Sequence, residues 1–444
     1  FSLIFDLSFA ADTTVSTALT SSDDEIIMGS NDTVTITSSG SIIVNNHDHG
    51  GLIQLPAGTS NLTITNSGTL QIGIYEEVGS NGNQRNNITA TGAENITIIN
   101  NGVISGGQAN ALSLADAQGD ITITNNAGAM ISARGHSSFA VIQLNTAGNT
   151  TAGDIIVTNA GTIQALGAPY NNAANTFSHH TLRLSNITNG GTVTIDNSGT
   201  IEAGASNAIN LNGTTDPITL TNSGTIKVET IGAISGRYTT NLTIVNSGTI
   251  TGAGTTNKSP DDADEGSIVL HNLNASGGSG ATITNSGTIQ AGGSNYHAIT
   301  IGTADTGSLG YANVTITNSG TIAGDQTTGN GVKGHAIRVL ADSSGTTITV
   351  KGEAVFTGGI DLGKTVSTIV LDSSISTNIT INIYNYDEDL TITNNLSGND
   401  TYSLSSEDLD GDGTADDGRL TIYGEDLDIS QDNVKNQSEN VFFN

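Results

Sequence analysis

Five carboxylates fall within ten residues near one end of the chain, at Asp408, Asp410, Asp412, Asp416 and Asp417. Asp408, Asp410, Asp412 and Asp416 occupy positions one, three, five and nine of a loop, with Gly413 at six. That is the spacing by which hard oxygen donors wrap a single Ca2+. Thr414 at position seven would offer its backbone carbonyl, so the expected ligand set is Asp408, Asp410, Asp412, Thr414 and Asp416. Position twelve holds Arg419 where such loops carry a bidentate Glu, and Asp417, Glu425 or Asp426 would have to substitute. The competing reading is a solvated acidic turn. His297 and His335 each precede Ala-Ile in one register, with His180 and Asn207 in the equivalent place. They are expected to stack as a ladder, because one register supplies too few converging ligands for a metal. His47-Asp48-His49 is a weak chelator pattern, and Asp261–Glu265 reads as a solvated acidic loop. There is no G-x-S-x-G elbow and no Cys nucleophile, and the 12 Lys and Arg are scattered. No hydrolytic constellation follows from these residues.

The elements that would position such groups are set by a repeated phrase. It reads TNSGTL at Thr65–Leu70, DNSGTI at Asp196–Ile201, and TNSGTI at Thr221–Ile226, Thr284–Ile289 and Thr317–Ile322. Weaker copies include SSGSI at Ser38–Ile42 and NAGTI at Asn159–Ile163. Gly40, Gly68, Gly102, Gly128, Gly161, Gly199, Gly224, Gly248, Gly287, Gly320 and Gly352 share one register, with a mean spacing of about 31 residues and a shortest step of about 24. Repetition along a whole chain means one supersecondary unit stacked many times. Each unit holds three short apolar segments. Leu62-Thr-Ile64-Thr-Asn66 alternates with a period of two, which is a strand with one buried face. By the same alternation the repeated Asn turns inward, where it is expected to form an amide ladder. The glycine two residues later is expected to permit a turn with positive φ. A brief Thr-Ile follows, and then an xAIxL phrase such as Asn207–Leu211 or His335–Val339. Three short strands per coil, in about eleven or more coils, predict an all-β parallel β-helix.

Composition agrees. The 444 residues include 56 Gly, 4 Pro and no Cys or Trp. Frequent turns use glycine, and inner strands need every N–H for the ladder, which excludes proline. The net charge of −30 excludes a nucleic-acid partner, whose binders need basic patches. Residues 1–10, ending in Ser8-Phe9-Ala10, read as the tail of a secretory signal peptide. Residues 11–352 read as the repeats, and residues 353–444 as a β-helix continuation and cap carrying the acidic loop. Insertions at Gly73–Asn95, Gly167–His179, Gly252–Glu265 and Gly302–Tyr311 are expected to carry recognition, as loops on rigid scaffolds do. Outward Thr rows such as Thr63/Thr65 and Thr282/Thr284 form a flat face that could meet ice or a glycan. Uneven coil lengths and breaks at Ile99, Asp196 and Val245 argue against an ice plane.

The NSGTI repeats, their xAIxL partners and the export-like start together resemble the passenger region of bacterial autotransporters and related β-helical surface adhesins, over roughly residues 31–352. The resemblance implies a right-handed β-helix, a hand that the crossover rule also favours. It implies export to a bacterial cell surface or outer membrane, or secretion, with adhesion as the activity. The implied partners are a glycan or protein of a host or neighbouring cell, or a second copy of the chain. An outer-membrane β-barrel is expected downstream or as a separate chain. The sequence contains no such barrel pattern before Asn444. Two alternatives come from other classes: a carbohydrate-active β-helix (a lyase, hydrolase or tailspike-like protein) and a self-associating matrix or filament protein.

Overall fold

A computed structural model describes residues 8–9, 12–20, 25–44, 51–73, 86–107, 109–133, 140–145, 152–166, 180–188, 190–204, 206–229, 231–252, 266–271, 273, 280–292, 296–302, 310–311, 313–325, 334–340, 343–386, 389–398, 400–411 and 413–424. Among them every helical or strand element is a strand. Strands pair with the third strand before and after them in sequence, not with their chain neighbours, so each pairing joins one coil to the next. Three long sheets result, of 16, 14 and 12 strands, called A, B and C here in the order the chain visits them, with one two-stranded pairing, Gly310–Tyr311 with Ser343–Ser344, beside them. Every pairing between coils is parallel until the last strands of sheet A. The chain is a parallel β-helix.

Twelve coils carry a strand in all three sheets. One more than the glycine register implies is present because the first coil, with Thr13–Val15 in sheet B and Ala18–Leu19 in sheet C, turns through Ser16-Thr17 and lacks the phrase. Ser8–Phe9, within the segment read as a signal-peptide tail, pairs in parallel with Ile27 and Met28.

Alternation fills the core as expected. In sheet B, Ile64, Ile98 and Ile123 lie in register, as do Ile195, Leu220 and Ile244 further along. In sheet C, Ile163, Ile201, Ile226 and Ile250 do the same. All are fully buried. Each contributes roughly 1.5–3 kcal/mol relative to exposure.

The turn from sheet B to sheet C holds two or four residues in all twelve coils. An unbroken amide ladder locks it. Asn66, Asn100, Asn125, Asn159, Asn197, Asn222, Asn246 and Asn285 each donate from Nδ2 to the Oδ1 of the next Asn at 2.7–2.8 Å, and the ladder closes on Asn318. Each Nδ2 also reaches a carbonyl of the next coil, as Asn222 reaches Thr249 at 3.3 Å. The ladder ends against apolar residues in the same register, Ile36 on one side and Val350 on the other.

The glycine of the phrase has a different reason from the one expected. Of the eleven register glycines only Gly128 and Gly352 have positive φ. At the others the need is close approach, because a Cβ on Gly224 would be driven into the carbonyl oxygen of Gly199, and one on Gly248 into that of Gly224. At Gly68, Gly102, Gly199, Gly224, Gly248, Gly287 and Gly320 the carbonyl in the way belongs to the register glycine of the coil before, whereas Gly40 meets Val15 and Gly161 meets Ala129.

The turn from sheet C back to sheet A is where length varies. Long connections occupy residues 73–85, 166–179, 253–267 and 324–336, leaving coils three, six, nine and eleven. The first three match the expected insertions, although the first is shorter, since Asn86–Ala90 is already a strand of sheet A. The fourth was not singled out in the sequence. The expected insertion at Gly302–Tyr311 leaves from the turn between sheets A and B instead. Residues 74–85, 167–179, 253–265 and 303–309 lie outside the described residues, as do His47, Asp48 and His49.

Beyond coil twelve the stack continues in sheets A and B through Ile360–Asp361, Ser367–Leu371, Ile379–Tyr384 and Thr391–Asn394. The chain then reverses. Gly418–Tyr423 pairs antiparallel with Ile379–Tyr384, and Thr401–Leu404 pairs antiparallel with Gly418–Tyr423. This hairpin ends the parallel stacking of sheet A and carries the acidic loop.

Candidate functional site

The acidic loop connects Thr401–Leu404 to Gly418–Tyr423, and its base is closed by an antiparallel bridge between Glu407 and Asp417. The Glu407 N–H donates to the Asp417 carbonyl at 2.7 Å. Asp408 folds the tip: its Oδ1 accepts from the Gly411 N–H at 2.7 Å and its Oδ2 from the Gly413 N–H at 3.1 Å. Gly411 and Gly413 sit at φ +79° and +91°, a conformation that side chains rarely adopt, which explains both glycines.

Carboxylate oxygens of Asp408, Asp410 and Asp417 converge within 4.8 Å of one another. That separation is about twice a Ca–O bond of 2.3–2.6 Å, so one ion would lie within reach of all three. Asp408 and Asp410 belong to the expected ligand set, and Asp417 is one of the residues named as a substitute for the missing Glu. Asp416 faces Lys364, whose Nζ lies 2.8 Å from its Oδ2. Thr414 is exposed on the loop, while Asp412, Glu425 and Asp426 lie outside the described residues. Asp417 is 0 % exposed and its charge is already met by backbone donors. Its Oδ2 accepts from the Leu409 and Asp410 N–H groups at 2.9 and 3.0 Å, and its Oδ1 accepts from the Asn385 N–H at 2.9 Å.

Asn385 leads from this loop to a second group of polar side chains. Its Nδ2 donates to Asp361 Oδ1 at 3.0 Å, which also accepts from the Gly363 N–H at 3.1 Å. Asp361 Oδ2 lies 3.7 Å from Arg338 Nε and 3.9 Å from His335 Nε2. Arg338 and Asp361 are register partners in adjacent coils of sheet A, and Tyr384 follows Asp361 in the next strand. Arg338 Nη1 in turn lies 3.2 Å from His297 Nε2. The His297 and His335 rings stack, with centroids 5.3 Å apart and planes 2° apart, as the shared register predicts. The Tyr384 ring tilts against His335 at 4.9 Å. Burial holds the His297 imidazole well below the usual histidine range, helped by the positive charge of Arg338 and the neighbouring His335. Burial lowers His335 as well, against the pull of Asp361 upward.

The other members of that register behave individually. His180 is not stacked in the same way: its Nδ1 lies 3.0 Å from Ser206 Oγ and its Nε2 3.2 Å from Asn210 Nδ2. Asn207 donates to the Gly232 carbonyl of the next coil at 2.7 Å, and His335 Nδ1 makes the equivalent contact to Gly358 at 3.1 Å. Sequence reasoning missed Arg338 and Asp361. The available signal was their place one residue after the recurrent Ile in successive xAIxL-type strands, which the loss of the phrase after Gly352 obscured.

The outer face of sheet B carries two long rows of threonine in register. Thr194, Thr219, Thr243 and Thr282 are consecutive in one row, and Asp196 is the single charged residue among the described residues of the two rows. The register holds across coils of unequal length, because length changes fall at other turns. Comparison of the chain with known protein families, curated proteins and solved structures finds no match.

Proposed function

We propose that this chain is an exported β-helical rod of a bacterial cell surface that acts as an adhesin, holding variable loops out for binding or aggregation. The observation that carries the reading is the division of labour among the turns. One turn is fixed at two or four residues in every coil, while long connections leave from another in coils three, six, nine and eleven. With coils about 4.8 Å apart, loops three coils apart emerge at intervals of roughly 14 Å along one edge. Several weak contacts on one rigid support add as avidity when a surface offers repeated ligands. The partner class is a glycan or protein of a host or neighbouring cell. An outer-membrane β-barrel, downstream or on a separate chain, would anchor the rod. A calcium ion at Asp408, Asp410 and Asp417 would brace the cap and play no part in recognition.

The test is capture of cells by beads coated with the chain at low and high density. Adhesion that rises steeply with density supports the reading. No capture of any bacterial or animal cell surface at any density contradicts it.

A second reading, self-association, is favoured by the sheet B face. The chain carries a net charge of −30, yet the two threonine rows of this face hold one charged residue, Asp196, and expose Ile156 and Val245, each 37 % accessible. Fourteen strands at about 4.8 Å, each some five residues wide, give on the order of 800–1,000 Å2, one partner's share of a standard interface. The face shows no aromatic ring in its threonine rows on which a sugar would stack. Two copies that repel through their acidic loops would pair here once salt screens them. In sedimentation velocity, raising salt is expected to dimerise the wild type and to leave a Thr219→Glu, Thr243→Glu variant monomeric. A wild type that stays monomeric at all salt concentrations removes this reading and leaves loop-borne adhesion standing.

A further inference from the structure

His297 lies just before the sheet A strand Ile299–Gly302 of coil eleven, one coil short of the last full coil, and its two ring nitrogens both face donors. The His335 backbone N–H donates to Nδ1 at 3.0 Å, and the Arg338 guanidinium, always protonated, lies 3.2 Å from Nε2. A neutral imidazole has one lone pair and one N–H, so it can satisfy at most one of these donors. A protonated imidazole has no lone pair and sets an N–H against a donor on both sides. The ring is 2 % exposed, so water cannot take the place of the lost partner.

We propose that His297 is an acid-sensitive latch: protonation of its ring releases the last full coil together with the C-terminal cap while leaving the preceding coils intact. The route runs through contacts already described. Loss of the Nδ1 acceptor frees the His335 N–H, and repulsion from the charged ring displaces Arg338. Arg338 and His335 are the two cationic-side neighbours of Asp361, and Asp361 holds Asn385, which holds Asp417 at the base of the cap loop. The groups that face His297 define the response. From the coil that follows come His335 and Arg338, and beyond them Asp361, Tyr384 and Asp417. From the coil before, among the described residues, the Ser267 N–H donates to the His297 carbonyl. Across the turn, the Asp325 N–H donates to the Tyr296 carbonyl.

The sign is fixed by where the proton goes. Burial lowers the affinity of the folded ring for a proton relative to the ordinary value of 6.5. Above pH 6.5 the ring is neutral in folded and unfolded chains alike, and the latch is closed. As pH falls below 6.5, the unfolded or opened chain takes up a proton that the closed one does not, and stability is lost progressively down to the lowered folded value. The rest of the rod has no such dependence through its ladder, since Asn amides do not titrate in this range.

Hydrogen exchange of the full chain at pH 7.5 and pH 5.0, corrected for intrinsic exchange, tests this. Protection of strands Ile337–Val339, Ile360–Asp361 and Ile379–Tyr384 is expected to fall at least about ten-fold at pH 5.0, with Val193–Asn197 and Leu242–Asn246 unchanged. His297→Asn is expected to abolish the loss. His335→Asn is expected to retain it, because an Asn there can donate to Gly358 as Asn207 does to Gly232. If His297→Asn does not fold, the ring proton of His297 in the wild type, followed by NMR, must titrate at the pH of opening. Unchanged protection at pH 5.0, a response abolished by His335→Asn and kept by His297→Asn, or a ring titration that does not coincide with opening would each overturn the proposal.

Discussion

Asn222 and Gly224 stand two residues apart and hold the same turn by different physics. Asn222 is an amide whose every group is used: it accepts from Asn197, donates to Asn246, and reaches the carbonyls of Gly224 and Thr249. Asn222→Ala leaves buried partners without a mate, at about 1–3 kcal/mol for each group unpaired. Gly224 has no unusual φ, and its constraint is the Gly199 carbonyl against which it packs. A flexible neighbour could yield, but a backbone carbonyl in a ladder cannot. Gly224→Ala is therefore expected to destabilise the rod more than Asn222→Ala, measured as the midpoint of thermal melting. The reverse order would mean that the turn relaxes and that the glycines serve another purpose. The inward Asn was legible in the sequence because it keeps strand alternation. The reason for the glycine was not, because close approach is a property of two coils and a sequence displays one at a time.

At the scale of elements, the three sheets and their order were readable from period-two segments and from the phrase that separates them. The first coil was missed because Ser16-Thr17 replaces the phrase, and the antiparallel end because no repeat signals a reversal. The acidic loop illustrates the same boundary. Its spacing named Asp408 and Asp410, and the fold adds Asp417, which reaches the group only because the Glu407–Asp417 bridge brings the loop's two ends together. Asp416, one residue earlier, points to Lys364 on a different coil, a contact invisible to local spacing. If the loop binds Ca2+, the ion stabilises the cap by mass action, about 2.7 kcal/mol at 100 times Kd. Melting of the wild type is expected to rise with Ca2+ and melting of Asp410→Asn to be indifferent to it. Equal curves for the two proteins with and without Ca2+ would leave the loop a solvated turn. The His297–Arg338–Asp361 group was half legible: the shared register predicted the stacked rings, whereas Arg338 and Asp361 come from coils with no phrase in common.

For the whole molecule, the proposed function assigns stability to the interior of the rod and recognition to its long connections. Ile stacks and the Asn ladder run along the interior, so each coil is supported mainly by its neighbours, as in other solenoids. Insertions at the turn from sheet C to sheet A therefore disturb neither the ladder nor the core, and they can vary in length and composition at little cost. The central claim is that binding resides in those connections. The most direct measurement replaces residues 74–85, 167–179, 253–265 and 326–333 with short turns of the kind found between Val228 and Ile234, and compares bead adhesion to cells with that of the wild type. Solution scattering must first show the same rod length for both. The account predicts that adhesion falls at least about ten-fold while the scattering and the melting midpoint are unchanged. Undiminished adhesion by a variant of unchanged length would contradict it and place binding on the faces of the rod.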